Sequence, residues 1–312
     1  MSGPETTVER RPCDQVRVRV TATSANLGPG FDAFGLALTL YDDLIVTPGG
    51  SGVTVVVSGS GEGEVPLDES HLVVRSIRRG LEALGTSVPG FTLRCENRIP
   101  HGRGLGSSSA AIVGGLAAAY GLAGEPLDRE RIVVLANEIE GHPDNVAPCL
   151  AGGLTIAWTS EDRPRLVRLD LDREVVAFVP DQRLATEQAR GLLPSTVSHK
   201  DAAANSGRAA LLIAALTQKL GNDVLLAATE DRLHQRYRAP AMPESAELVR
   251  SLRENGVPAV ISGAGPTVLA FTTASQADST GLEVGNWWHK HPLNVDPRGA
   301  RVQVVGAGDT RT

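Results

Sequence analysis

The stretch Ile99-Pro100-His101-Gly102-Arg103-Gly104-Leu105-Gly106-Ser107-Ser108-Ser109-Ala110 sets three alternating glycines before three serines. Glycine lets successive backbone N–H groups converge on an anion with no Cβ in the way. Serine suits the start of a helix, where free N–H groups and the positive end of the dipole favour phosphate. Its hydroxyl also serves a hard cation such as Mg²⁺, which travels with nucleotide phosphates. Two chemistries are therefore open: phosphate binding, or a tight turn leading into a helix packed through its glycines. Two familiar phosphate loops are excluded. Gly106, not a lysine, precedes Ser107, as a P-loop forbids. The spacing Gly102-x-Gly104-x-Gly106 is not the Gly-x-Gly-x-x-Gly of dinucleotide folds.

A second concentration is Glu138-Ile139-Glu140-Gly141-His142-Pro143-Asp144-Asn145, which gathers carboxylates, an imidazole and an amide. It reads as a charged helix end or as a site. His142 and Asp144 by themselves make a thin metal signal. Asn26 and Asp32 lie in the turn-rich Thr21–Asp32 segment, where both residue types also serve the backbone locally. Arg190 and Arg238 can each clamp a carboxylate or phosphate with two parallel hydrogen bonds, or lie in water. His234 reads as structural. Gly263-Ala264-Gly265-Pro266 reads as a hairpin turn or as support for the glycine loop or a ligand.

The elements that carry these residues follow from hydrophobic periodicity. Val16–Val20 alternates as a strand with one buried face. Ala33–Leu40 is apolar, Leu44–Val46 reads as a short strand, and Val53–Val57 as a β-branched one. Leu72, Val73, Ile77, Leu81 and Leu84 repeat at helical spacing over Ser70–Leu84. Phe91–Glu96 is a strand that delivers the chain to the glycine loop, so that loop lies between a strand and a helix. Asp128 is suited to cap a helix running to Glu140. Strands are expected over Gly153–Trp158, Arg165–Leu169, Val175–Val179, Ala259–Ser262 and Thr267–Phe271. Helices are expected over Thr186–Leu193, Ser206–Leu220, Val224–Leu233 and Pro243–Asn255. Trp287-Trp288 is expected to serve packing.

The chain has 312 residues, enough for about two domains. Its hydrophobic content of 41% is that of a globular protein. A net charge of −6 argues against general nucleic-acid binding, which needs a basic face. Cys13, Cys95 and Cys149 are scattered and fit reduced thiols. No apolar run is long enough to span a membrane, and Met1–Gln15 lacks the apolar core of a signal peptide. A cytoplasmic protein with no membrane or nucleic-acid partner is expected.

Three separated segments resemble motifs of the GHMP small-molecule kinase family. They are Asn26-Leu27-Gly28-Pro29-Gly30-Phe31-Asp32 followed by Gly35-Leu36-Ala37-Leu38, the Pro100–Ala110 run, and Ser262-Gly263-Ala264-Gly265-Pro266-Thr267. Glu140-Gly141-His142-Pro143-Asp144-Asn145 is similar to a signature of the branch that phosphorylates L-homoserine. The similarity extends over residues 16–272, and it is the order and spacing of the motifs that make it specific.

The resemblance implies an α+β fold of two domains. Residues 16–165 would form an N-terminal ATP-binding domain, similar to ribosomal protein S5 domain 2, with a left-handed β-α-β unit around the phosphate loop. Residues 166–312 would form a ferredoxin-like C-terminal domain, after a tail over 1–15. The implied reaction is ATP-dependent phosphorylation of the L-homoserine hydroxyl, on the route to threonine, with nucleotide and acceptor meeting between the domains. Pro100, His101, Gly102, Arg103, Gly104, Leu105, Gly106, Ser107, Ser108, Ser109 and Ala110 would surround the ATP phosphates. Ser108 and a helix carboxylate would hold Mg²⁺, with Glu138 the expected carboxylate and Glu140 the fallback. Asn26, Asp32, His142 and Asp144 would line the acceptor side, with Asp144, Asp32 and Asn26 as catalytic groups. Arg190 and Arg238 would hold the amino acid's carboxylate. The resemblance departs from relatives that carry a lysine in the first motif: Asn26 stands near that position, which weakens an Asp–Lys base mechanism. A homodimer is left open.

Overall fold

The architecture is that of a computed structural model, and the structure describes residues 13–279 and 285–306. The tail expected over 1–15 therefore lies mostly outside the described residues, and Cys13–Gln15 already belong to the first strand.

The first half of the chain runs β1 (Cys13–Ala25), β2 (Phe34–Pro48), β3 (Gly52–Gly59), α1 (Leu72–Ala83), β4 (Gly90–Asn97), α2 (Ser107–Ala123), α3 (Arg129–Glu140), α4 (Val146–Ala151), β5 (Leu154–Ser160) and β6 (Arg163–Leu169). The second half runs β7 (Glu174–Pro180), α5 (Thr186–Gly191), α6 (His199–Thr217), α7 (Asn222–Ala228), α8 (Gln235–Arg238), α9 (Pro243–Glu254), β8 (Ala259–Ile261), β9 (Val268–Ala270), α10 (Ala274–Ser279), β10 (Trp288–Asn294) and β11 (Arg301–Gly306).

Among the described residues the strands form two sheets. One is ordered β11-β1-β2-β4-β3, with β5 also paired to β2 and β6 to β5. Its neighbours are antiparallel except β3 and β4, which run parallel from Gly52↔Gly90 to Gly59↔Asn97. A parallel pair needs a crossover, and α1 supplies it. The other sheet is ordered β10-β7-β9-β8 and is antiparallel throughout. That order, with helices between the strands, is the ferredoxin-like pattern.

β2 is one continuous strand where the sequence suggested an apolar run and a separate short strand. Its polar centre, Tyr41-Asp42-Asp43, still pairs with β1 on one side, and Asp43 with β4 on the other. α1 and α3 start on side chains that accept backbone N–H groups: His71 from Val73 and Asp128 from Arg131. The helix expected over Val224–Leu233 ends at Ala228, and a turn built on Asp231 separates it from α8. Val175–Val179 is apolar at every position because both faces of β7 are covered. Val175, Ala177 and Val179 join the first core; Val176 and Phe178 join a second core with Leu248 and Leu252 of α9. The boundary at 165/166 falls inside β6, and β11 brings the chain's end back to the first sheet beside β1. Trp288 packs on the second core, whereas Trp287 is exposed. No helix among the described residues is long and apolar enough to cross a membrane.

Candidate active site

β4 hands the chain to the glycine loop, and Asp42 on β2 fixes the exit. One oxygen of its carboxylate accepts from the N–H groups of Arg98 (2.6 Å) and Ile99 (2.8 Å). Burial pushes the Asp42 carboxyl up to about 6, against the lowering effect of those two bonds. The loop then turns through Gly102, Gly104 and Gly106, with φ of 65°, 76° and 71°. Gly104 has a second reason to be glycine: a Cβ there would stand 2.3 Å from the carbonyl oxygen of Ser262. That contact comes from the turn between β8 and β9. Ser262 Oγ donates to Gly104 O (2.6 Å), and Thr267 N–H donates to Arg103 O (3.2 Å). The Gly263–Pro266 segment is thus both a hairpin turn and the backing of the loop.

Gly106 occupies the N-cap of α2 in a left-handed conformation, and no side chain caps the helix. The serines fall in the first turn, not at the cap. Their N–H groups have no carbonyl one turn back within the helix. α2 is buried almost all round, its small residues letting it press on the first sheet and on α1. Ser108 Oγ and Ser109 Oγ each donate to Glu140, to separate carboxylate oxygens, at 2.8 Å.

Glu138, the expected magnesium ligand, does not reach the loop. It pairs with Arg79 at 3.0 Å on the half-exposed outer side of α3. Two residues along an α-helix is about 200° around its axis, so only one of the two carboxylates can face the serines. Glu140, the last residue before the left-handed Gly141, takes that place. Within the Pro100–Ala110 run, Leu105 and Ala110 are core residues. The Arg103 side chain turns away to the carbonyls of Pro180 and Asp181, both at 2.8 Å.

One cavity joins this loop to most of the other singled-out residues, Asp32 being outside its lining. Gly102, Arg103, Gly104, Gly106, Ser107 and Ser108 of the loop line it together with Glu140, His142 and Asp144, and with Asn26, Arg190 and Arg238. Asp144 is 2% exposed and accepts from His142 Nδ1 at 2.8 Å. That hydrogen bond raises the His142 pKa above its ordinary 6.5, against the lowering effect of burial. Arg190, on α5, grips both oxygens of Asp32, at 2.7 and 3.1 Å, which raises the guanidinium's pKa further. Arg238, on α8, is 1% exposed, with its guanidinium over the Phe31 ring. Burial lowers its pKa, and its Nε has no hydrogen-bond partner.

Asn26 is committed to the backbone. Its amide donates to Gly263 O (2.8 Å) and accepts from Asp32 N–H (2.9 Å), which pins the first motif to the third. Leu184, Thr186, Asn145, Gly263 and Ala264 complete the lining. Asn145, which ends the acidic run Glu138–Asn145, has no sequence-assigned role; its Oδ1 accepts from Thr23 Oγ1 (2.7 Å) beside Gly106. Leu184 and Thr186 carried no signal, because a residue that lines a cavity by loop placement leaves no pattern.

Among the described residues no three His, Cys, Asp or Glu side chains gather as a metal cluster. The oxygen donors Glu140 and Ser108 nevertheless suit Mg²⁺, which is commonly held by one or two carboxylates together with substrate phosphates.

Comparison with known proteins identifies the family. Residues 71–153 match the family model of the GHMP kinase N-terminal domain and residues 202–290 that of the C-terminal domain. The chain is 54% identical to the homoserine kinase of Streptomyces coelicolor, over 95% of this chain and 97% of that one. It is 53% identical to that of Clavibacter michiganensis, over 94% and 96%. Among solved structures, the homoserine kinase of Cytophaga hutchinsonii superposes with a TM-score of 0.81 at 26% identity, covering 96% of this chain and all of that one. A mevalonate kinase shares the fold with a TM-score of 0.66 at 13% identity, over 90% and 99%. With both domain models matched and relatives of this similarity aligned nearly end to end, the chain belongs to the homoserine kinases of the GHMP kinase family.

Proposed function

We propose that the chain transfers the terminal phosphoryl group of ATP to the side-chain hydroxyl of L-homoserine, giving ADP and O-phospho-L-homoserine for threonine biosynthesis in the cytoplasm. The observation that carries this reading is a single cavity lined by two unlike sets of groups. One set is the glycine-loop and helix-start N–H groups; the other is Arg190, Arg238 and Asp144, with Asp32 paired to Arg190. A nucleotide's anionic tail suits the first. A zwitterion suits the second, since a carboxylate and an ammonium need opposite partners when buried.

The roles follow from position. The N–H groups from Gly102 to Ser109 hold the phosphates. Glu140 and Ser108 would hold Mg²⁺, which when bound offsets phosphate charge. Arg190 and Arg238 take the acceptor's carboxylate, and Asp32 its ammonium. Asp144 orients the hydroxyl and receives its proton, while His142 fixes the Asp144 carboxylate. Phosphoryl transfer through a loose transition state depends on alignment and charge neutralisation more than on a strong base, so no lysine is required beside Asp144. The first sheet and its helices carry the phosphate machinery, and α5 and α8 bring the two arginines to it.

A coupled assay of ADP release over candidate alcohols tests the reading. L-Homoserine is expected to turn over best, and its analogues without the carboxylate or the amine poorly. A neutral polyol or isoprenoid alcohol outpacing it would overturn the assignment.

A further inference from the structure

His234 has no part in the reaction as derived, yet its imidazole is fully buried beside Arg238. Both of its ring nitrogens are committed. Nε2 lies 2.8 Å from Gly28 O, and Nδ1 lies 3.1 Å from a terminal nitrogen of Arg238. A carbonyl can only accept and a guanidinium can only donate. Nε2 therefore carries the hydrogen and Nδ1 offers its lone pair, so the two neighbours fix the tautomer. We propose that His234 is a positioning residue for the acceptor site, whose neutral Nδ1 aims the Arg238 guanidinium at the substrate's carboxylate.

The surroundings of the ring support this assignment. His234 supplies the side-chain acceptor for Arg238; the other bond of that guanidinium runs to Gly263 O at 3.2 Å. The nearby carboxylate Asp32 is already taken by Arg190. A neutral imidazole orients the arginine without cancelling its charge, which a carboxylate in the same place would do. The imidazole is itself held rigidly. Phe31 stacks on it at 5.1 Å between ring centres, and Asp231 accepts from the N–H groups of Leu233, His234 and Gln235. Gly28 closes the arrangement: a Cβ there would meet Thr229 O at 2.7 Å, so only glycine brings this carbonyl to the imidazole.

The charged groups facing the ring are Asp231 from its own turn, Arg238 from α8 and Asp32 from the turn between β1 and β2. Burial outweighs the two carboxylates and lowers the imidazole's pKa. A second proton on the ring would set an N–H against the guanidinium.

The inference rests on the reading that Arg238 faces the acceptor's carboxylate, and the experiment separates the two. Steady-state kinetics are measured for H234Q, H234N and R238K. Glutamine keeps a donor near the Nε2 position and loses the acceptor at Nδ1; asparagine does the reverse. H234Q is expected to raise the KM for homoserine by about tenfold, with the KM for ATP within about twofold, and H234N to stay near the parent. A variant that partly unfolds loses kcat, not KM, so the split survives instability.

An unchanged homoserine KM in R238K defeats the reading of Arg238. A raised KM in R238K with equal values in H234Q and H234N defeats the role of His234. Nitrogen NMR of the histidine-labelled parent gives a test that needs no variant. An Nδ1–H tautomer, or a ring that titrates between about pH 6 and 8, overturns the proposal.

Discussion

The phosphate-facing and acceptor-facing residues of the cavity solve the same problem by different means. The phosphate end is made of backbone. Gly102, Gly104 and Gly106 turn the chain, and the first turn of α2 presents N–H groups that no side chain caps. The acceptor end is made of side chains, most of them already paired: Asp32 with Arg190 and Asp144 with His142, while Arg238 bonds to His234 and keeps an unpartnered Nε. Helix-start N–H groups can stand open because they carry only partial charges and face the cavity. Full charges held in a protein interior need partners, or folding itself becomes unfavourable. The acceptor site is therefore stored as internal pairs, and a zwitterionic substrate exchanges one ion pair for two.

The largest effect that would sharpen this contrast falls between the two ends. Glu140→Gln is expected to lower kcat by about 100-fold or more and to make turnover depend more steeply on Mg²⁺. Glu138→Gln is expected to stay within about twofold of the parent, since its partner is Arg79. A magnesium titration of both proteins decides between them, and the reverse ranking would return the cation to Glu138.

At the acceptor end, Arg238→Ala is expected to raise the KM for homoserine by about 10- to 100-fold while leaving that for ATP nearly unchanged. Equal rises for both substrates would break the division into two ends. Asp32→Asn is expected to act in the same direction by about tenfold, because the substrate's ammonium loses its anion and Arg190 its partner. If the KM for homoserine fell instead, the pair Asp32–Arg190 would be a barrier to binding and not a part of the cradle.

The smallest effect on turnover belongs to Asp42, beneath the phosphate end. Its folded pKa of about 6 lies above the ordinary 3.8, so the folded state holds the proton more tightly than the unfolded one. The stability this group contributes is full below the ordinary value and is lost as pH rises through about 6. Asp42→Asn keeps the oxygen that accepts from Arg98 and Ile99 and removes the charge. Chemical denaturation is expected to show a flatter pH profile for the variant, by on the order of 1 kcal/mol. His142 has the same sign: its link to Asp144 stabilises the fold at low pH and fades as pH rises through a value above 6.5.

The phosphate loop, its flanking strand and helix, and the third glycine turn were legible because each is local. Glycines at fixed offsets and the alternating strand Phe91–Glu96 before them leave a mark in adjacent residues. Glu138 and Glu140 show where local reasoning stops. Both sit at one helix end, and only the packing of α3 against α1 and α2 decides which faces the serines. Asn26 is a parallel case. Its residue type suggested chemistry, and its bonds to Gly263 and Asp32 show a clasp between motifs that lie far apart in the chain. His234 gave no sign of a partner, because its partners are a backbone carbonyl from the first motif and an arginine one helical turn on.

By itself the sequence determined many of the element types before residue 272, the placing of the glycine loop between a strand and a helix, and the presence of both charges that a zwitterion needs. Those depend on short-range sterics and on composition. Tertiary structure alone decided which carboxylate meets Ser108 and Ser109, which charges are paired within the protein, and which nitrogen of His234 carries its hydrogen. Such outcomes depend on distances between residues far apart along the chain, and only packing sets those distances.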